Sequence, residues 1–234
     1  MKNLLPVSRT KAQARRYYDR LSHIYDPLTK SEAGLIRRGA KMLSVQPGED
    51  LLEIGCGTGR ALQIFTETAP GEGLRVGLDL SARMLTQIQS KSIAPILVQG
   101  DGACLPLQTA RFDAIFMAFT LELFSEADIY RVLSECRRVL RPAGRLGVVA
   151  LASTPRTFAL RLYERAHRLF PVAVDCRPIP LDALLAENGF ECVQIKKNLN
   201  WGLPVHLTVS TKRQPEEITS TPQKPNNDAR IARS

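Results

Sequence analysis

Two spacings of apolar residues alternate along the chain, and each predicts a different kind of element. From Lys11 to Leu28 the apolar residues recur mostly three or four positions apart, as on one face of a helix, before Pro27 ends or bends the pattern. A second helix is predicted from Glu32 to Leu43. These two helices would precede the first strand.

Short, nearly continuous apolar runs follow, and they predict strands that are buried on both faces of a sheet. The predicted strands cover residues 51–54, 74–79, 95–99, 112–119 and 145–151. The predicted helices between them cover residues 60–68, 81–89 and 125–140. This alternation predicts a doubly wound, Rossmann-like α/β sheet.

The last third of the chain departs from this alternation. A basic amphipathic helix is predicted to begin near Thr154 and Pro155, and a shorter helix covers residues 181–187. Two strands, at about 190–196 and 203–211, form a two-stranded ending that is often antiparallel.

These patterns divide the chain into three parts. We expect an N-terminal helical cap over residues 1–45 and a main domain over residues 46–212, with substrate-facing helices at about 154–188. Residues 213–234 are rich in Pro, Thr, Asn and Gln and contain almost no apolar residue, so a disordered tail is predicted.

The turn after the first predicted strand carries the most specific chemistry. Its sequence places Glu53 two residues before three alternating glycines, Gly55, Gly57 and Gly59. Glycine allows unusual backbone angles and lets a ligand lie against the backbone at a helix N-terminus. The dinucleotide fingerprint has a different spacing, and a pyrophosphate disfavours a nearby carboxylate, whereas a ligand with an ammonium group tolerates one. A dehydrogenase is therefore disfavoured.

Acidic residues also follow the second and third predicted strands. Asp79 lies about 20 residues after the last glycine, where nucleotide-binding folds place an acid on ribose hydroxyls. The alternative for Asp79 is a structural acid at a helix N-terminus, for which Ser81 is the better cap. Asp101 and Gly102 begin the loop after the third strand.

Composition and charge narrow the class of protein. The 234 residues carry a net charge of +9, and residues 1–41 alone contribute +7, from ten Lys/Arg and three acids. This basic segment either contacts an anionic partner or is a solvated helix face. Five scattered cysteines and three separated histidines favour neither disulfides nor a metal site. Without a predicted signal or membrane span, we expect a cytoplasmic protein, with peripheral membrane contact through the basic N-terminal helix as an option.

Taken in order, the motifs over about residues 12–212 resemble the class I S-adenosylmethionine (SAM) dependent methyltransferases. The resemblance rests on the glycine turn, Asp79, the 101–106 loop, Phe112-Asp113 and the stretch 133–145. It implies a seven-stranded sheet of order 3-2-1-4-5-7-6 with the last strand antiparallel. Residues 17–28 and Met84-Leu85 are similar to the ubiquinone and menaquinone biosynthesis C-methyltransferase branch.

The resemblance also implies roles for individual residues. The cofactor-binding residues would be Tyr25, Glu53, Gly55, Cys56, Gly57, Gly59, Asp79, Leu80, Met84, Asp101, Gly102 and Ala103. Tyr18 and Arg177 would contact the substrate, and Glu122, His167 and Asp175 are candidates for a base or an orienting acid. For each of these last three, a purely structural role is an alternative.

Three functions stay open at this level. The first is methyl transfer to a small apolar acceptor such as a quinol precursor. The second is N-methylation of phospholipid head groups at an anionic membrane surface, with contacts from the basic N-terminal helix and the 156–168 helix. The third is a non-catalytic SAM-binding or nucleic-acid-binding module, although nucleic acid is disfavoured because the charges are not interleaved with aromatic residues.

Overall fold

The computed structural model describes residues 4–7, 9–89, 94–170 and 176–213. The predicted tail beyond residue 213 and the candidate base Asp175 lie outside these ranges. The strands are β1 (Leu51–Ile54), β2 (Arg75–Asp79), β3 (Ile96–Gln99), β4 (Phe112–Ala118), β5 (Leu140–Leu151), β6 (Phe190–Asn200) and β7 (Leu203–Lys212). The α-helices are α1 (Lys11–Leu21), α2 (Tyr25–Leu28), α3 (Ala33–Leu43), α4 (Arg60–Thr68), α5 (Ala82–Gln89), α6 (Glu126–Val139), α7 (Phe158–Leu169) and α8 (Leu181–Glu187). Two 3₁₀-helices cover Lys30–Glu32 and Leu121–Leu123.

The seven strands form one sheet in the order β3-β2-β1-β4-β5-β7-β6. The pairs within β3-β2-β1-β4-β5 are parallel, and β7 runs antiparallel to both β5 and β6. The predicted strand order and its antiparallel strand are confirmed. The order reverses between β1 and β4, and open α/β sheets bind ligands beyond the carboxyl ends of the strands at such a point.

Both faces of the central strand are covered, as its apolar run predicted. Ala114, Ile115, Phe116 and Met117 of β4 have no exposed surface. Ile115 and Met117 pack in a core with residues of α6 and α8, while Ala114 and Phe116 pack in a second core with residues of α3 and α4. The middle of β4 is therefore closed to polar groups on both faces.

Several elements differ from the sequence prediction: α7 begins at Phe158 and not near Thr154, and β6 extends to Asn200. The N-terminal pattern is broken after Leu21, and a separate short helix begins at Tyr25. A continuous helix would need an amide hydrogen at Pro27, which proline lacks, whereas the first turn of a new helix accommodates it. Strand β5 begins at Leu140 rather than Arg145, because Leu140 pairs with Phe112 before a register shift.

At the amino-terminal end of β1, the carboxylate of Asp50 joins three parts of the chain. Asp50 accepts hydrogen bonds from the backbone N–H of Leu74, at 2.8 Å, and from the guanidinium groups of Arg111 and Arg141. The backbone N–H of Asp50 donates to Asp113 at 2.9 Å, and Arg141 also pairs with Asp113. These contacts hold the pKa of Asp50 below its usual value, although burial acts in the other direction.

We expect Asp50→Ala to lower the free energy of unfolding by about 2–3 kcal/mol, since it removes a charged acceptor and leaves the Leu74 N–H unpaired. Urea denaturation followed by circular dichroism measures this loss. Glu72→Ala, at an exposed position in a loop, is the control and should leave stability unchanged. Equal stability of both variants would contradict a stabilising role for Asp50.

Candidate active site

A cavity of about 300 Å³ lies at the carboxyl ends of β1, β2 and β4. Its floor includes the glycine turn, and its walls include residues of α1 and α2 and of the loops after β2, β3 and β4. Eleven residues with a predicted cofactor or substrate role line it: Tyr18, Tyr25, Glu53, Gly55, Cys56, Gly57, Asp79, Leu80, Met84, Asp101 and Gly102. Residues that are distant in the sequence thus share one cavity.

The glycines of the turn have two distinct structural tasks. Gly55, Gly57 and Gly59 have φ values of +70°, +52° and +79°, in the left-handed region that favours glycine. A Cβ on Gly55 would lie 2.3 Å from the Thr120 side chain, so the turn packs tightly there. A Cβ on Gly57 would meet only the ring of Tyr25, at 3.7 Å. The space beside Gly57 therefore belongs to the cavity.

Asp79 has the structural role that its position in the sequence allowed, and it also lines the cavity. One carboxylate oxygen accepts from the backbone N–H of Gly57 and the other from the backbone N–H of Ser81, both at 2.8 Å. Ser81 in turn accepts from the backbone N–H of Met84 at 3.1 Å, which is the predicted helix cap. Burial raises the pKa of Asp79, although the amide contacts act against the shift. The carboxylate fixes the turn and also lines the cavity.

Residues of α1 and of the short helix α2 line the cavity, and polar contacts hold these helices to its other walls. Lys11 contacts Asp101 at 2.6 Å and Asp128 at 3.2 Å. Burial lowers the pKa of Lys11, but the hydrogen bonds to these two carboxylates outweigh it and raise the pKa above its usual value. Further along α1, Asp19 accepts a 2.6 Å hydrogen bond from the Ser81 hydroxyl.

The short helix α2 adds a second set of contacts. Asp26 accepts a hydrogen bond of 2.5 Å from the hydroxyl of Thr58, inside the glycine turn. Arg60, directly after the turn, contacts the same carboxylate at 3.4 Å and donates to the carbonyl of Thr29 at 2.9 Å. The N-terminal helices are thus attached to the cavity wall at both ends.

Two predicted cofactor residues lie outside the cavity lining. Gly59 precedes α4, and a Cβ there would meet Ile88 at 2.9 Å, so this glycine serves helix packing. The backbone N–H of Ala103 donates to Asp101 at 2.9 Å, so Ala103 orients the carboxylate. Gly59 and Ala103 therefore support residues that line the cavity and do not line it themselves.

The candidates for a base or a polar substrate contact are buried away from the cavity. Glu122 has no exposed surface, and its carboxylate accepts from the backbone N–H of Leu151 at 3.0 Å. His167, 1% exposed, has Nε2 3.2 Å from the carbonyl oxygen of Pro6. Arg177, 2% exposed, donates to the carbonyls of Leu5 and Phe124. Glu122, His167 and Arg177 are not among the residues that line the cavity.

Sequence reasoning missed several residues that line the cavity. Lys11, Asp26 and Glu32 come from the N-terminal helical segment, while Phe119 and Phe124 follow β4. For Lys11, Asp26 and Glu32 the sequence contains only a weak signal. They lie in a basic stretch that is equally typical of a solvated helix face. Among the residues that the structure describes, no cluster of His, Cys, Asp or Glu could hold a metal ion.

Comparison of the chain with known proteins gives independent evidence on its family. Residues 51–144 match a family model described as a methyltransferase domain. A demethylmenaquinone methyltransferase of Thermus thermophilus is 31% identical over 178 residues, which cover 66% of this chain and 80% of the relative. The chain belongs to the SAM-dependent methyltransferase family.

Other family members extend the comparison. A demethylmenaquinone methyltransferase of Tropheryma whipplei is 36% identical over 65% of this chain, and the match spans 64% of that relative, less than two thirds of its length. The structure of 1,6-didemethyltoxoflavin-N1-methyltransferase from Burkholderia thailandensis, with bound 1,6-didemethyltoxoflavin and S-adenosylhomocysteine, superposes with a TM-score of 0.68. It is 18% identical, and the superposition covers 90% of this chain and 95% of that one.

We expect Lys11→Met to loosen α1 without unfolding the sheet, because Asp101 and Asp128 lose their shared cation. A partly exposed ion pair contributes at most about 1 kcal/mol, so amide hydrogens of α1 should exchange roughly two- to fivefold faster. Hydrogen–deuterium exchange with mass spectrometry measures this. Arg15→Met, an exposed position on the same helix, is the matched control. Similar exchange in both variants would show that the Lys11 contacts do not hold the helix.

Proposed function

We propose that the protein transfers a methyl group from SAM to a small apolar acceptor such as a quinol precursor. The observation that carries the proposal is the sharing of one cavity by the glycine turn, the carboxylates of Glu53 and Asp79, and an apolar wall after β4. Membership of the methyltransferase family supports the class of reaction.

The chemistry of the cavity fits SAM, which carries a positive sulfonium and an ammonium group. Six carboxylates line the cavity, against three cationic side chains. The acids are Asp26, Glu32, Glu53, Asp79, Asp101 and Asp128, and the cations are Arg9, Lys11 and Arg60. The space beside Gly57, which a side chain would fill, leaves room for a ligand against the backbone. When bound, SAM supplies a methyl group activated by its positive sulfur.

Each part of the ligand has a group of matching chemistry. Glu53, only 3% exposed, offers its carboxylate to the amino-acid part beside the glycine turn. Asp79 would accept hydrogen bonds from the ribose hydroxyls, and Asp101 with Gly102 would hold the adenine. Tyr18 and Tyr25, whose ring centroids are 6.2 Å apart, close the site from the N-terminal side and exclude water.

The other wall of the cavity favours an apolar acceptor. Phe119, Leu123 and Phe124 after β4 face the cavity together with Val7 and Ile36. Such a wall binds an aromatic or isoprenoid group by burial of apolar surface and aligns the attacking atom with the methyl group. The names of the demethylmenaquinone methyltransferase relatives support a quinol among apolar acceptors.

The reaction also releases a proton from the acceptor. We assign its removal to Glu32, because this carboxylate lines the cavity one helical turn before Ile36, whereas Glu122 and His167 do not line it. When bound, SAM would supply the methyl group as the bond between that carbon and sulfur breaks, and Glu32 would accept the proton that the acceptor loses.

Asp79→Asn should weaken SAM binding roughly 10- to 100-fold, because a charged acceptor is replaced by a neutral one. The wild-type affinity should fall as the pH is lowered, since the ionised carboxylate binds the hydroxyls. Because burial raises the pKa of Asp79, the fall begins at a higher pH than is usual for an aspartate. Isothermal titration calorimetry over a pH series measures both effects.

Asp182→Asn on α8, away from the cavity, is the control and should bind SAM like the wild type. The Asp79→Asn variant should show little of the pH dependence. Tight, pH-independent binding by this variant would contradict the role of Asp79, and no binding by the wild type would overturn the proposed reaction.

Glu32→Gln should leave SAM affinity within about twofold of wild type but lower kcat by roughly 100-fold, which is the lower range for loss of a general base. Methyl transfer from labelled SAM to demethylmenaquinone reduced to its quinol measures the rate. Glu191→Gln, exposed on β6, is the control. A wild-type rate in Glu32→Gln would exclude Glu32 as the base, while absence of transfer in the wild type would exclude this acceptor.

A further inference from the structure

We propose that α7 and the turn between β6 and β7 form a surface that docks on an anionic lipid bilayer. The docking surface comprises the exposed apolar residues Phe158, Leu162, Leu169 and Trp201 and the exposed basic residues Arg161, Arg165 and Arg168. The docking does not depend on the proposed methyl transfer. Within the described ranges, no helix is long and apolar enough to cross a membrane.

The helix α7 has two different faces. Leu160 and His167 are 0% and 1% exposed and anchor one face in the protein. Phe158, Leu162 and Leu169 lie four and seven positions apart on the other face, and they are 83%, 60% and 65% exposed. Such a row of large apolar side chains in water is unfavourable and indicates a contact surface.

The turn between β6 and β7 lies against the N-terminal end of α7. Trp201, at this turn, is 84% exposed. The neighbouring Gly202 accepts a 2.8 Å hydrogen bond through its carbonyl from the hydroxyl of Thr157, the cap of α7. A Cβ on Gly202 would also lie 3.0 Å from the side chain of Ala159. Trp201 and Phe158 are therefore carried by two elements in direct contact.

The charges beside these apolar residues indicate what kind of partner the docking surface binds. Arg161, Arg165 and Arg168 are exposed, and none of them forms an ion pair with another residue in the described part of the chain, whereas Arg156 is paired with Glu164 at 2.9 Å. An amphipathic helix with Phe and Leu on one face and flanking arginines matches the interface of an anionic bilayer. Tryptophan favours the same depth, between head groups and acyl chains.

The location of the docking surface connects it with the cavity. The turn after Asn200 lies at the end of the sheet where β5 finishes, because Leu151 pairs with Val205 of β7. The cavity lies at this same end of the sheet. His167 of α7 contacts the carbonyl of Pro6, and the adjacent Val7 lines the cavity. A protein docked through this surface would therefore hold its cavity close to the bilayer.

The helix α1, which the sequence suggested as the basic membrane contact, is less suited to this role. Its Lys11 is engaged with Asp101 and Asp128, and Arg9 just before it lies over the ring of Tyr17 at 3.6 Å. The side chains of Ala14 and Tyr18 line the cavity. Its remaining exposed arginines, Arg15, Arg16 and Arg20, lack a neighbouring row of exposed apolar residues on that helix.

Trp201 is the single tryptophan of the chain, so the intrinsic fluorescence of the full protein reports on the docking surface itself. We expect its emission to shift to the blue on vesicles of phosphatidylcholine mixed with phosphatidylglycerol, and brominated acyl chains should quench it. Vesicles of phosphatidylcholine alone should give little shift. Added salt should weaken the binding because the arginines act through charge.

Two charge-matched variants locate the contact and both keep Trp201. Arg165→Glu with Arg168→Glu should lower vesicle affinity by roughly tenfold or more, since each basic residue near the surface contributes to binding. Arg15→Glu with Arg16→Glu on α1 makes the same change in net charge and should alter affinity by less than about twofold. Unchanged thermal unfolding verifies that both variants fold.

Several results would overturn the proposal. No blue shift on anionic vesicles would exclude insertion of Trp201, and a loss of affinity confined to the α1 variant would place the membrane contact on α1. Equal losses of vesicle affinity in both variants would show that binding depends on net charge alone and not on the docking surface. An emission that is already blue without lipid and depends on protein concentration would identify a second copy of the chain as the occupant.

Discussion

Burial of the central strands on both faces is the constraint on which the rest of the structure depends. Because helices cover β1, β2 and β4 from both sides, charged groups are excluded from the middle of these strands and gather where the strands end. At one end Asp50 and Asp113 join loops through arginine pairs. At the other end Asp79 and Asp101 line a cavity with the glycine turn. The same physical rule therefore produces a stabilising network and a ligand site.

The carboxylates of the cavity already have partners from the protein itself. Asp79 accepts from two backbone N–H groups, and Asp101 accepts from Lys11 and from the backbone of Ala103. A ligand that binds there shares or replaces these hydrogen bonds, so the net gain for each one is modest. Affinity must then come from many contacts together, including burial against the aromatic residues that close the cavity. Residues of α1 and α2 line the cavity and can supply such contacts.

Local rules predicted the strands and the glycine turn, since both depend on residues that are neighbours in the sequence, whereas the strand order followed from the family resemblance. Apolar runs marked the strands, and alternating glycines with Glu53 marked the turn that proved to have three positive φ values. The break between α1 and α2 was missed, although Pro27 signalled it, because the apolar spacing continues through it. Contacts between distant residues were not predictable: nothing local indicates that Lys11 reaches Asp101, or that Arg177 is buried against the carbonyls of Leu5 and Phe124.

These long-range contacts explain how residues outside the cavity still influence it. His167 and Arg177 are buried, and both contact carbonyls of the segment 4–7, whose Val7 lines the cavity. Arg177 also contacts the carbonyl of Phe124, a residue that lines the cavity as well. Desolvation lowers the pKa of Arg177, although nearby Glu126 and Glu122 favour its charged form. The buried Arg177 cation thus joins two backbone segments, the one before Val7 and the one at Phe124, and both segments contribute residues to the cavity lining.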